Sequence, residues 1–139
     1  MNPRFRSISC AVLLTCALTA CGGSGIEPGE VSFSQQVQPI LTDRCAFSGC
    51  HASTSPAVSQ SLAEGLAYAS TVSVPSQELP SMHRVEPGDP DQSYLVHKIQ
   101  GTHLDVGGSG LRMPRGQEPL SDDQVRLIRA WIEQGARNN

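Results

Sequence analysis

Cys45, Cys50 and His51 stand together in the stretch CAFSGCH, residues 45–51, in a chain otherwise rich in small, polar and turn-forming residues. Two thiols in a six-residue span, with an imidazole directly after the second, admit three chemistries. They could close a disulfide, the usual fate of a cysteine pair in an oxidising compartment. They could supply zinc ligands, with His83, His97 or His103 completing the set. They could also anchor a haem, because C-x-x-C-H is the usual attachment signature and this stretch is that signature lengthened by two residues.

Which cysteines remain in the mature protein is decided at the N-terminus. Of the five cysteines, Cys10 and Cys16 fall in a leader, residues 1–20, that carries Arg4 and Arg6 and then an apolar run over residues 8–18. That run is shorter than the roughly 20 apolar residues a bilayer-spanning helix needs, and it reads as a secretory signal peptide. Its end, Leu18-Thr19-Ala20-Cys21, resembles a bacterial lipobox, which would make Cys21 the lipid-modified first residue of the mature chain. Residues 21–30, opening with Gly22-Gly23-Ser24-Gly25, then serve as a flexible tether, and more than one acyl chain on Cys21 would give stable anchoring. The alternative is ordinary cleavage nearby that leaves Cys21 a free thiol. Gly22 carries no acidic signal for retention at the inner membrane.

Removing the leader leaves 119 residues, enough for one compact domain, here residues 31–139. Ten basic residues less Arg4 and Arg6 leave eight against thirteen acidic ones, a charge of about −5, and no Lys/Arg cluster offers a footprint for nucleic acid. Aromatic residues are few, and residues 52–91 read as loop. So thin a core usually needs a staple or a prosthetic group, and only Cys45 and Cys50 are left to hold one. Haem explains more than the other two chemistries: thiols reaching two vinyl groups on one porphyrin edge set the adjacent His51 under the iron. Ser48-Gly49 could turn so that the extra residues bulge outward.

A second axial ligand could come from Met82, Met113, His83, His97 or His103. Met113 is favoured because it lies in Arg112-Met113-Pro114, within a loop that also holds Gly107-Gly108-Ser109-Gly110 and Gly116. Pro114 disfavours helical geometry at Met113 and presents its side chain from an extended segment. Met82 is the fallback. Histidine opposite methionine suits electron transfer and raises the potential. Glu86, Asp89 and Asp91 read as turn and capping residues, with calcium binding as their alternative.

Three helices must position these groups. The first spans about 34–43, with Val37, Ile40 and Leu41 on one face, and leads straight into Cys45. The second opens at Asp89-Pro90-Asp91-Gln92, with Asp89 as cap and Gln92 closing a capping box, and runs through Tyr94, Leu95 and Ile99 to Gly101. The third begins at Ser121-Asp122-Asp123-Gln124, carries Val125, Ile128, Trp131 and Ile132 on one stripe, and ends at Gly135. A weaker helix is expected over 61–68. No alternating pattern exceeds residues 71–74, so the expected class is all-α with long irregular loops.

With these elements in place, the chain resembles the monohaem c-type cytochrome domains of secreted and lipoprotein chains. The likeness covers nearly all of residues 31–136. It rests on Phe33 with Val37-Gln38-Pro39-Ile40-Leu41, on CAFSGCH, on Val85-Glu86-Pro87-Gly88-Asp89-Pro90 continuing to Ser93 and Leu95, on Met113-Pro114, and on Ile128-Arg129-Ala130-Trp131-Ile132 continuing to Gly135-Ala136. The resemblance implies a small domain of three to five helices around one covalently bound haem c, with His51 as proximal ligand, Met113 as distal ligand, and thioethers to Cys50 and Cys45. It also implies crossing terminal helices, with Trp131 and the Val37/Ile40 face closing one side of the haem pocket. Phe47-Ser48-Gly49-Cys50-His51 equally matches the F-x-x-C-H form, in which a single thioether is made and Cys45 is unused.

The expected function is one-electron transfer by a monomer at the cell envelope, periplasm-facing or associated with the outer membrane, to redox partner proteins. Arg84, Lys98, Arg112 and Arg115 would meet haem propionates or a docking partner. Two alternatives stand beside it: a peroxidase- or oxidase-type haem module, which needs Met113 off the iron, and a non-redox module stapled by a disulfide. No Ser/His/Asp or carboxylate constellation suggests catalysis.

Overall fold

Residues 29–52 and 59–139 are described by the computed structural model. The expected leader, Cys21 and the tether as far as residue 28 lie outside the described residues. Within them the protein is helical, with no strand and only isolated bridges such as Val72 with Val85 and Pro75 with His83. No described helix is long and apolar enough to cross a membrane.

The first helical run forms where its apolar spacing places it. It begins as a wide π turn, Phe33–Val37, and continues without a break as α1, Gln38–Arg44. Ser32 caps it, its hydroxyl accepting the Gln35 N–H at 3.2 Å. Pro39 stands at the junction and has no N–H to give to the carbonyl four residues back, so the ordinary α ladder is interrupted there. The weaker expected helix forms later in sequence, as α2, Ala67–Thr71. Gly65, in the left-handed region at φ 77°, separates it from residues 61–64.

The second long helix is two pieces rather than one. The Asp89 carboxylate caps a 3₁₀ turn, Pro90–Gln92, by accepting the Asp91 and Gln92 N–H groups at 3.1 Å each. Ser93 then turns extended, at φ −101° and ψ 110°, before α3, Tyr94–Gln100. The break follows from the buried Ser93 hydroxyl, which accepts the Glu86 N–H at 2.9 Å and donates to the Asp89 carbonyl at 2.8 Å, so it bonds to neighbouring backbone instead of tolerating a helix. Gly101 ends α3 in the left-handed conformation. The last helix, α4, Asp122–Glu133, has both arms of the expected capping box: Gln124 N–H to Ser121 Oγ, and Ser121 N–H to Gln124 Oε1.

The core gathers Val37 and Leu41 with Val96 and Ile99 of α3 and Ile128, Trp131 and Ile132 of α4. Phe33 lies between two aromatic rings, 5.1 Å from Trp131 and edge-on to Tyr68 at 5.5 Å. Backbone groups at 31–34 bond to the C-terminal residues: Val31 N–H to Gln134 Oε1 at 2.7 Å, Phe33 N–H to Asn139 Oδ1 at 2.8 Å. The helical run 33–44 therefore starts against the end of the chain and delivers CAFSGCH at its far end.

Candidate functional site

At the C-terminal end of α1 the chain folds into a compact turn. Cys45 N–H continues the helix to the Leu41 carbonyl at 3.0 Å, Cys50 N–H reaches the Phe47 carbonyl at 3.0 Å, and His51 N–H returns to the Cys45 carbonyl at 3.2 Å. Gly49, at φ 79°, supplies the left-handed residue that this reversal requires. The two extra residues thus leave through the turn, and Cys45 and Cys50-His51 come back together.

They meet on the wall of one open cavity of about 170 Å³. Cys45, Cys50, His51 and Met113 all line it, as do the apolar residues Leu62, Leu95 and Ile99. Two stretches far apart in sequence, residues 45–51 and the Met113 loop, share one space.

His51 is buried and oriented. Its Nδ1 lies 2.9 Å from the Gln60 carbonyl oxygen, which can only accept, so Nδ1 carries the proton and Nε2 keeps its lone pair. A histidine fixed in this way through one ring nitrogen is in the state a metal ligand needs at the other. Gln60 was not foreseen, because any residue's carbonyl could play that part.

The two thiols differ. Cys45 is 8% exposed and Cys50 is exposed, and neither is in a disulfide. Burial pushes the Cys45 thiol up to about 11, with the Arg44 guanidinium pulling it down and Cys50 adding to the rise. Since the thiolate is the nucleophile, iodoacetamide at pH 8 is expected to label Cys50 of the haem-free protein while Cys45 stays unmodified until the pH approaches 11 or the fold is opened. Mass spectrometry of the peptides reads this; equal labelling at pH 8 would contradict it. Phe47, which takes the place of the first cysteine in the F-x-x-C-H pattern, is 42% exposed and outside the cavity lining.

Met113 is held by its backbone, its N–H donating to the Lys98 carbonyl at 2.9 Å. Met82, the fallback, is buried among turn residues away from the cavity. The other histidines are outside the cavity lining: His83 Nδ1 bonds to Glu86 at 2.5 Å, His97 to Thr102 Oγ1 at 2.8 Å and the Asp91 carbonyl at 2.9 Å, and His103 Nε2 to the Gly110 carbonyl at 3.2 Å, its buried Nδ1 having no partner. Among the described residues no three His, Cys, Asp or Glu side chains gather as a metal-binding group, so neither the zinc nor the calcium alternative has a cluster there. Asp89 caps its turn and Asp91 pairs with Arg129 at 2.8 Å.

The charged lining is mostly cationic. Arg84, Lys98 and Arg115 face the cavity, as does Arg44, which sequence reasoning passed over; Arg112 does not, its Nε donating instead to the Ile99 carbonyl at 3.2 Å. Arg44 Nη2 donates to the Glu118 carbonyl at 2.7 Å, while its buried Nε has no partner. A buried donor without an acceptor is costly, and here it lies beside a space that a carboxylate could enter. Trp131 and Val37 are absent from this lining: they are packed in the core, with Trp131 against Phe33 and its Nε1 donating to the Arg137 carbonyl at 2.9 Å.

The chain matches no protein-family model, and no curated protein or solved structure is significantly similar to it.

Proposed function

We propose that the protein is a monohaem c-type cytochrome that carries single electrons at the cell envelope, lipid-anchored through Cys21. The observation that carries this reading is that Cys45, Cys50 and His51, together with Met113 from a distant stretch of chain, line the wall of one cavity. Their chemistry fits the group: two thiols for thioether bonds, an imidazole with Nε2 free to ligate, and a thioether sulfur for the other face. Both thiols line the cavity while Phe47 does not, which favours attachment through Cys45 as well as Cys50.

Haem supplies the reversible one-electron couple when bound. The protein's own part is positional and electrostatic. The Gln60 carbonyl holds His51 in one tautomer and raises its basicity as a ligand. Leu62, Leu95 and Ile99 supply apolar wall, and Arg44, Arg84 and Arg115 offer positive charge to propionate carboxylates, whereas the Lys98 ammonium is paired with Glu78. Were His51 and Met113 both to hold the iron, they would leave no coordination position for a substrate, which supports electron transfer to partner proteins over catalysis.

The test is the absorption spectrum of reduced protein made in a periplasm competent for haem attachment, followed by the pyridine haemochrome. Sharp haem bands that survive acid–acetone extraction are expected, with a haemochrome position diagnostic of two saturated vinyl groups. A haemochrome for one saturated vinyl would leave Cys45 free. A colourless protein would overturn the proposal and return the cysteines to the disulfide module.

A further inference from the structure

The loop that brings Met113 to the cavity is strapped to the body of the protein by a polar network outside the ligand set. Tyr94, buried on α3, places its hydroxyl 3.1 Å from Glu78 Oε2 and 3.1 Å from the Ser109 carbonyl, and accepts the Ser109 N–H at 3.1 Å. Lys98, one turn on, donates its ammonium to Glu78 Oε2 at 2.7 Å and to the same Ser109 carbonyl at 3.2 Å, while its own carbonyl receives the Met113 N–H. One ion pair and one phenol thus join residues 76–78, α3 and the glycine loop at a point four residues before Met113.

The glycines around Ser109 fit this contact. A Cβ on Gly108 would sit 2.4 Å from the Tyr94 hydroxyl oxygen, and one on Gly110 would sit 2.4 Å from Glu78 Oε1. Only a backbone without side chains can lie so close to the pair. Gly110 also needs the left-handed region, at φ 79°. The Lys98–Glu78 pair is largely shielded from solvent, so removing one partner leaves the other poorly compensated.

We infer that Glu78, Tyr94 and Lys98 are positioning residues that hold the 107–113 loop closed and thereby keep Met113 on the iron, so that the strength of this strap sets how readily the distal position opens to an exogenous ligand. This rests on Met113 being the distal ligand. The ferrous holoprotein gives the readout, through the rate of carbon monoxide uptake, together with hydrogen exchange at the Met113 amide against amides of α4.

Tyr94→Phe keeps the buried ring and removes only the hydroxyl. It is expected to speed carbon monoxide uptake about tenfold, the ratio that corresponds to losing about 1.4 kcal/mol of loop closure, and to speed exchange at Met113 similarly while α4 stays protected. Glu78→Ala is expected to act at least as strongly, and Glu78→Gln, which keeps an acceptor for both partners, to recover part of the loss. Gly110→Ala reaches the same result with both side chains still present, because its Cβ pushes against Glu78 and Lys98. Arg126→Ala, on an exposed ion pair with Asp123 near the start of α4, should change nothing. Wild-type uptake and exchange rates in haem-loaded Tyr94→Phe and Glu78→Ala would overturn the strap while leaving the cytochrome intact. Fast uptake by the wild type would remove Met113 from the iron, and the inference would fall with it.

Discussion

Met113→Ala is expected to leave the haem covalently attached but to abolish the sulfur-to-iron charge-transfer band of the oxidised protein and to open the ferrous form to carbon monoxide. The reduction potential should fall by on the order of hundreds of millivolts, since axial ligation spreads haem potentials over ~0.8 V and a thioether opposite histidine favours the reduced state. The reason for so large an effect is the lack of a substitute. Met82, His83, His97 and His103 are all outside the cavity lining, so among the described residues no methionine besides Met113 and no histidine besides His51 lines the space. Spectroelectrochemistry of the purified variant measures it. A persisting charge-transfer band would mean that another methionine sulfur had reached the iron, and an unchanged potential would mean that Met113 was never a ligand.

The difference between Met113 and its rivals was partly legible in sequence and partly not. Proline and glycine around Met113 signalled an extended, exposed-loop presentation, and the loop is there. The exclusion of the histidines was not legible, because it depends on partners such as the Asp91 and Gly110 carbonyls that carry no side-chain signature. The same holds for Gln60, whose contribution to His51 is a backbone oxygen. Helix ends were readable where a side chain closes on nearby backbone, as at Ser121 with Gln124, and misread at Ser93, where a buried hydroxyl draws the chain out of a helix that the apolar spacing alone would continue. In the sequence Tyr94 reads only as an apolar helix residue. The pair Gly108 and Gly110 held the one clue to its hydroxyl, because glycines that alternate with a serine suggest a backbone lying against something close.

Trp131→Ala is expected to be the most destabilising single change in the helices and to leave the haem environment almost untouched. The indole is buried against Phe33 between Ile128 and Ile132, with its N–H bonded to the Arg137 carbonyl, so truncation removes core contacts and orphans an acceptor together. Truncations of this kind cost about 3–5 kcal/mol, against total stabilities of about 5–15 kcal/mol for native domains. The resemblance to haem domains implied that Trp131 closes the pocket. In this fold the cavity is instead faced by Leu62, Leu95 and Ile99, and Trp131 lies in the core beyond it, joining α4 to the start of the first helical run. Guanidinium unfolding followed by circular dichroism should therefore show a much lower midpoint, while the charge-transfer band and potential in the native baseline match the wild type. Trp131→Phe, which keeps most of the ring volume, should fall between the two and provides the comparison if the alanine variant does not accumulate. A shifted potential with an unchanged midpoint would place the indole against the haem and contradict the packing described for α4.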